Sequence, residues 1–138
     1  RSPSLLLEKK MSYYYPEHQY FLTAAGTDGE ASIVFHERME VVACKIVDFA
    51  GVAAHGTNYV TFQVIGNDKT NVLFEWKTLD TANGALAANV AVDMVSQGHE
   101  DKAIFEAGEV LILKAIKAAS GQATKASICL QLRQARSY

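Results

Sequence analysis

The sequence predicts an all-β protein: an antiparallel two-sheet sandwich of about seven or eight strands, spanning residues 21–138, behind an extended N-terminal arm, residues 1–20. Three observations predict it. Apolar residues recur with a period of two in four separate runs, turn-forming residues separate those runs at regular intervals, and the first twenty residues show neither a helical nor a strand period. At 138 residues the chain holds one ordinary domain.

The arm comes first. Tyr13, Tyr14, Tyr15 and Tyr20 cluster around Pro16, outside any periodic pattern, and rings of this kind on an extended segment serve either as contacts to another protein or as a lid on the domain's own core. Residues 1–10 read equally as a remnant of expression or processing and as part of a native arm.

The alternating runs follow. In Tyr59–Ile65, Val60, Phe62 and Val64 share one face while Thr61 and Gln63 take the other. Val72, Phe74 and Trp76 repeat the phase, as do Val90, Val92 and Met94, and finally Ala126, Ile128, Leu130 and Leu132. Each run is expected to have a dry side and a wet side, as antiparallel strands in a sandwich do. Trp76 falls in phase with Val72 and Phe74, so it is expected in the core.

Two further runs are apolar on both sides. Met39–Phe49 and Ala103–Ala118 are expected to pass through the middle of the structure or into a subunit contact, which makes Leu111 and Leu113 candidate interface residues beside the tyrosines. Gly108, Gly121 and the branched residues between them favour a strand over a helix there. Turns are expected at residues 26–29, at Gly51 and His55-Gly56, and at Gly66-Asn67-Asp68. Others follow at Asn83-Gly84, Gln97-Gly98 and Ser120-Gly121. Residues 80–89 read as a longer loop with room for one helical turn.

Composition narrows the function. Thirteen Lys and Arg against fifteen Asp and Glu leave a net charge of −2, which disfavours a nucleic-acid partner. The longest leucine run, Leu5–Leu7, falls far short of the roughly 20 apolar residues of a membrane-spanning helix, so no membrane role is expected. Cys44 and Cys129 stand singly in apolar stretches and read as buried thiols, with a bridge between neighbouring strands on oxidation as the alternative.

Catalytic candidates are weak. His18, His36, His55 and His99 are far apart and none has a second His or Cys at metal-ligand spacing, so neither a metal nor another cofactor is expected. No Gly-x-Ser-x-Gly elbow occurs, and the glycines around Asp28 lack a P-loop lysine. His36-Glu37-Arg38 with Glu40, and Glu106 with Glu109, read as solvated charges at turns. The chain is accordingly expected not to be an enzyme.

The order of these runs, together with the phrase Phe105-Glu106-Ala107-Gly108-Glu109-Val110 ahead of the next-to-last strand, resembles the small jelly-roll decoration, or cement, proteins of tailed-bacteriophage heads. The resemblance spans roughly residues 20–135. It implies a structural virion protein that binds the outside of the phage head as a homotrimer, with the major capsid protein as partner and the arm reaching over a neighbouring subunit. The alternative reading is a receptor- or carbohydrate-binding sandwich of a virion appendage, which would need an exposed aromatic among the loops.

Overall fold

Three of the four alternating runs, 60–65, 72–76 and 126–132, lie in strands of six or more residues. The computed structural model describes residues 18–24, 28–121 and 124–135. Ten strands form in chain order: β1 His18–Ala24, β2 Gly29–Val34, β3 Met39–Asp48, β4 Val60–Ile65 and β5 Val72–Lys77, then β6 Val92–Asp93, β7 Val95–Ser96, β8 Ile104–Phe105, β9 Val110–Lys117 and β10 Thr124–Gln134. Seven of them have six or more residues, and β6, β7 and β8 have two each. The one helical element among the described residues is a single 3₁₀ turn, Glu100–Lys102, just past the turn expected at Gln97-Gly98.

The strands make two five-stranded antiparallel sheets. One runs β1-β10-β3-β6, with β8 also on β3; the other runs β2-β9-β4-β5-β7. In each sheet a late strand, β10 or β9, is inserted between two early ones. That interleaving is the double Greek-key winding of a jelly roll, provided β6 and β8 are counted as two pieces of one strand beside β3. Residues Val95–Ser96, which lie between those pieces, pair instead with β5 in the opposite sheet.

The core lies between the sheets. Ile46, Ile128 and Leu130 from the first sheet, Phe62, Val64, Leu111 and Leu113 from the second, and Phe105 are fully buried. Phe105 stacks on Phe35, ring centroids 4.9 Å apart. On β10 the inward set is Ala126, Ile128, Leu130 and Leu132, as the alternation predicts.

Elsewhere the structure departs from simple alternation, each time for a local reason. In β3 the register against β10 slips between Gln131 and Leu132, leaving Val42 as an extra residue. Such a bulge reverses the side-chain phase, so Met39 and Val41 point inward before it, and Cys44, Ile46 and Asp48 after it. This is why the run looked apolar on both sides. A second bulge, at Leu73 opposite the Val64/Ile65 step, buries Leu73 and leaves Phe74 and Trp76 half-buried against the core. Trp76 donates its indole N–H to the Gly84 carbonyl, 3.0 Å away.

Residues 89–95 are not the continuous strand expected. Val90, assigned to the dry face, is 49% exposed, because the chain divides there between the two sheets, β6 on β3 and β7 on β5. Residues 79–82 form a single turn, in which the Ala82 N–H bonds the Leu79 carbonyl, 2.9 Å.

Candidate interaction surfaces

The residues proposed as contacts from sequence separate in the structure. Tyr13, Tyr14 and Tyr15 lie outside the described residues. Tyr20 stands in β1, in register with Ile128 of β10, so the backbone at 18–20 begins the first sheet instead of ending the arm. Leu111 and Leu113 require a correction: both have 0% exposure, because they occupy the inward phase of β9 between β2 and β4. A side chain sealed between the sheets has no surface to offer a partner. On β9 their neighbours Val110 and Ile112 are half-exposed, as are Lys114, Ile116 and Lys117 further along the strand.

The phrase at residues 105–110 forms a compact turn. Phe105 ends β8 and Val110 opens β9. Between them Gly108 takes φ +88°, a conformation that only glycine adopts without strain. The Glu106 N–H donates to a Glu109 carboxylate oxygen at 2.7 Å and the Glu109 N–H to the Glu106 carbonyl at 3.0 Å. The Gly108 N–H donates to the Phe35 carbonyl at 2.7 Å, and the Arg38 guanidinium meets Glu106 at 3.0 Å. Both carboxylates therefore have structural partners, as solvated turn charges would.

The histidines do not converge. His55 accepts N–H donors from Thr57 (3.0 Å) and Asn58 (2.8 Å) on its Nδ1, which commits that nitrogen to shaping its own turn. Among the described residues no group of three or more His, Cys, Asp or Glu is placed to hold a metal ion. A cavity of about 160 Å³ opens where the β6–β8 strand is interrupted; Val41, Leu73 and Phe74 contribute its apolar wall and Glu40, His99 and Glu100 its polar one. That is below the roughly 300–1,000 Å³ of sites that engulf a drug-sized ligand. Glu40 is in addition held by Arg133, whose Nε lies 3.1 Å from its carboxylate.

Cys44 is buried and Cys129 half-buried, on neighbouring strands, and both are thiols. Burial, with a smaller contribution from the nearby Cys129, pushes the Cys44 thiol far above its ordinary range, so it stays protonated and is a poor nucleophile.

What the sequence reading missed is one end of the sandwich. The loop after β3 and the loop after β5 lie side by side there. Val52 and Leu86 exchange both backbone hydrogen bonds at 2.9 Å, and the Asn89 N–H donates to the Asp48 carbonyl at 2.9 Å. Gly51, at φ +81°, fits because a Cβ there would lie 3.0 Å from the Ala88 nitrogen and the Leu86 oxygen. Asp48, fully buried, accepts from the Ala50 N–H on one carboxylate oxygen and from the Lys125 N–H on the other, both 3.1 Å. On this tied pair of loops Phe49 is 68% exposed and Val90 49%. The available signal was the absence of charge: residues 49–67 and 81–92 contain no Asp, Glu, Lys or Arg.

No protein-family model and no curated protein sequence matches the chain. Among solved structures it is similar to Desmodium yellow mottle tymovirus, at 9% identity and a TM-score of 0.37, covering 86% of this chain and 85% of that one. It is also similar to infectious bursal disease virus Gx strain, at 14% identity and a TM-score of 0.30, covering 88% of this chain and 33% of that one. A third likeness is to the infectious bursal disease virus VP2 subviral particle, at 10% identity and a TM-score of 0.26, covering 88% of this chain and 42% of that one. The jelly-roll assignment rests on the strand order and register above, not on these likenesses.

Proposed function

We propose that this chain is a structural virion protein, a decoration or cement protein that binds the outside of a phage head as a homotrimer and stabilises contacts between subunits of the major capsid protein. The observation that carries the reading is the β8–β9 turn. The phrase Phe105–Val110, on which the resemblance to cement proteins rests, leads into β9, the next-to-last strand, within a jelly-roll winding. That winding is one that shell proteins share with lectins and cupins. The proposed role is one of assembly and not catalysis.

In this reading residues 1–17, ahead of β1, supply reach and the sandwich supplies the rigid body. Three copies engaging one particle raise avidity well above that of a single contact. The test is co-sedimentation with empty tailed-phage heads assembled without this chain. Binding is expected for the full chain, with affinity reduced roughly tenfold or more when residues 1–17, which precede β1, are deleted. A full chain that stays in the supernatant contradicts the proposal.

The receptor- or glycan-binding alternative has one observation in its favour, an exposed loop aromatic, Phe49. It predicts a glycan-array signal that Phe49→Ala abolishes.

A further inference from the structure

We infer that the outer face of the β2-β9-β4-β5-β7 sheet is a docking site for residues 1–17 of a neighbouring copy of this chain. Register places the side chains of that face together. Val34 stands opposite Val110, Ser32 opposite Ile112, Ile112 opposite Ile65, and Ile65 opposite Val72, in the phase that points away from the core. Residues directly opposite in an antiparallel pair share a face, so these six make one mostly apolar strip across four strands. Val34 is 54% exposed, Val110, Ile112 and Val72 are half-buried, and Ile65 is buried yet stands outside the core cluster between the sheets. A polar row borders the strip, where Lys114 lies beside Gln63 and Gln63 donates to Glu75 at 3.0 Å. The opposite sheet has a different outer face, on which Lys45 pairs with Asp93 and Arg133 with Glu40.

Composition, length and point of attachment select the occupant. Residues 1–17 carry Leu5, Leu6 and Leu7 and then Tyr13, Tyr14 and Tyr15, an apolar and aromatic set with neither a helical nor a strand period. Such residues cover an apolar sheet without needing a fold of their own, and tyrosine is enriched where protein surfaces meet. The length is sufficient. Fully extended, the seventeen residues reach about 56–61 Å, whereas the four strands of the strip stand about 14–15 Å across. The segment joins the sandwich at His18, the first residue of β1, which is an edge strand of the opposite sheet. From Leu130, the partner of His18, β10 runs on to Gln134. The line of β1 therefore continues along β10, in the sheet away from the strip, and to meet its own strip the segment would have to reverse around the β2 edge. A neighbour's strip can be met without that reversal. In a closed ring each copy then gives one segment and receives one.

This inference rests on the homo-oligomeric part of the proposed function, and the experiment separates the two. Full-length copies with carbon-13-labelled isoleucine methyls on a deuterated background are co-refolded with full-length copies protonated only at tyrosine, so an NOE between the two kinds of proton can arise only between copies. The expected result is a cross-peak from the Ile112 methyl to tyrosine ring protons, lost when the tyrosine-bearing copies carry Tyr13→Ala, Tyr14→Ala and Tyr15→Ala. In sedimentation equilibrium the full chain is expected as an oligomer. So is Val42→Glu, changed at the exposed bulge of the opposite sheet. Ile112→Glu is expected at the 15.0 kDa monomer mass with an unchanged circular-dichroism spectrum, and if it loses its fold the cross-peak decides. A monomeric full chain overturns the inference, as does a folded Ile112→Glu that stays oligomeric. So does an oligomer without the cross-peak, or with one that survives loss of the three tyrosines. A cross-peak present in uniformly labelled protein and absent from the mixed sample puts the segment on its own sheet and overturns the exchange. An oligomer that shows the cross-peak yet ignores phage heads upholds the surface and overturns the decoration role. A monomer that coats heads does the reverse.

Discussion

Single side chains decide several of the joints. Thr78 is fully buried and accepts the Val60 N–H on its hydroxyl at 2.8 Å, while its own N–H donates to the Val60 carbonyl at 2.9 Å. Thr78→Val keeps the shape and removes the acceptor, leaving a buried N–H unpaired. The expected cost is about 1–3 kcal/mol, measured by urea denaturation. Asp68 acts at the surface: the Asn71 and Thr70 N–H groups on its carboxylate, helped by the Asn71 side chain and by Lys102, hold its pKa below the usual Asp range. Because the folded value is the lower one, whatever this turn contributes to stability is present above the unfolded Asp pKa and lost as pH falls through the folded one. An NMR titration should show Asp68 protonating at lower pH than an unstructured Asp. Legibility at this scale was uneven. Turn chemistry at residues 66–68 could be read because Asp and Asn advertise it, whereas the burial of Thr78 could not, since a lone Thr after an alternating run carries no sign of its partner.

At the scale of elements, β10 and β4 were readable and β3 was not, and the difference is the bulge. On β10 the polar members Ser127, Gln131 and Arg133 mark the wet face, so the phase is unambiguous. In β3 the residues around the slip, Val42, Ala43 and Cys44, are all small and apolar, and either phase looks acceptable. Deleting Val42 would turn the strand into regular alternation with Met39, Val41, Cys44, Ile46 and Asp48 all inward. The deletion is therefore expected to leave a folded protein by circular dichroism and a cooperative melt; loss of the fold would contradict the role assigned to the bulge. The same strand carries Cys44, whose raised thiol pKa gives a second expectation. Its stabilising effect is full below the unfolded thiol value near 9.0 and declines at more alkaline pH. In native protein near neutral pH, iodoacetamide should leave Cys44 unmodified over times in which Cys129 reacts, with mass spectrometry as the readout. The interrupted strand at residues 92–105 was read poorly for a different reason. Its two-residue pieces pair with opposite sheets, and a period cannot be established over two residues.

For the whole molecule, the sandwich followed from the alternating runs and the turns between them, although the alternation held through β10 and failed at Val90, where the chain divides between the sheets. The functional surface did not follow in the same way. Tyrosines drew attention to the arm and branched residues to β9, but Leu111 and Leu113 belong to the core. The exposed end of the sandwich comes from two loops, one after β3 and one after β5, that only the fold brings together. The decoration role is tested by electron microscopy of phage heads with and without this chain, at resolution sufficient to place domains. A cement protein would appear as added density on the outer surface, in symmetric clusters of sandwich-sized lobes. Bare heads after incubation with excess chain would contradict it.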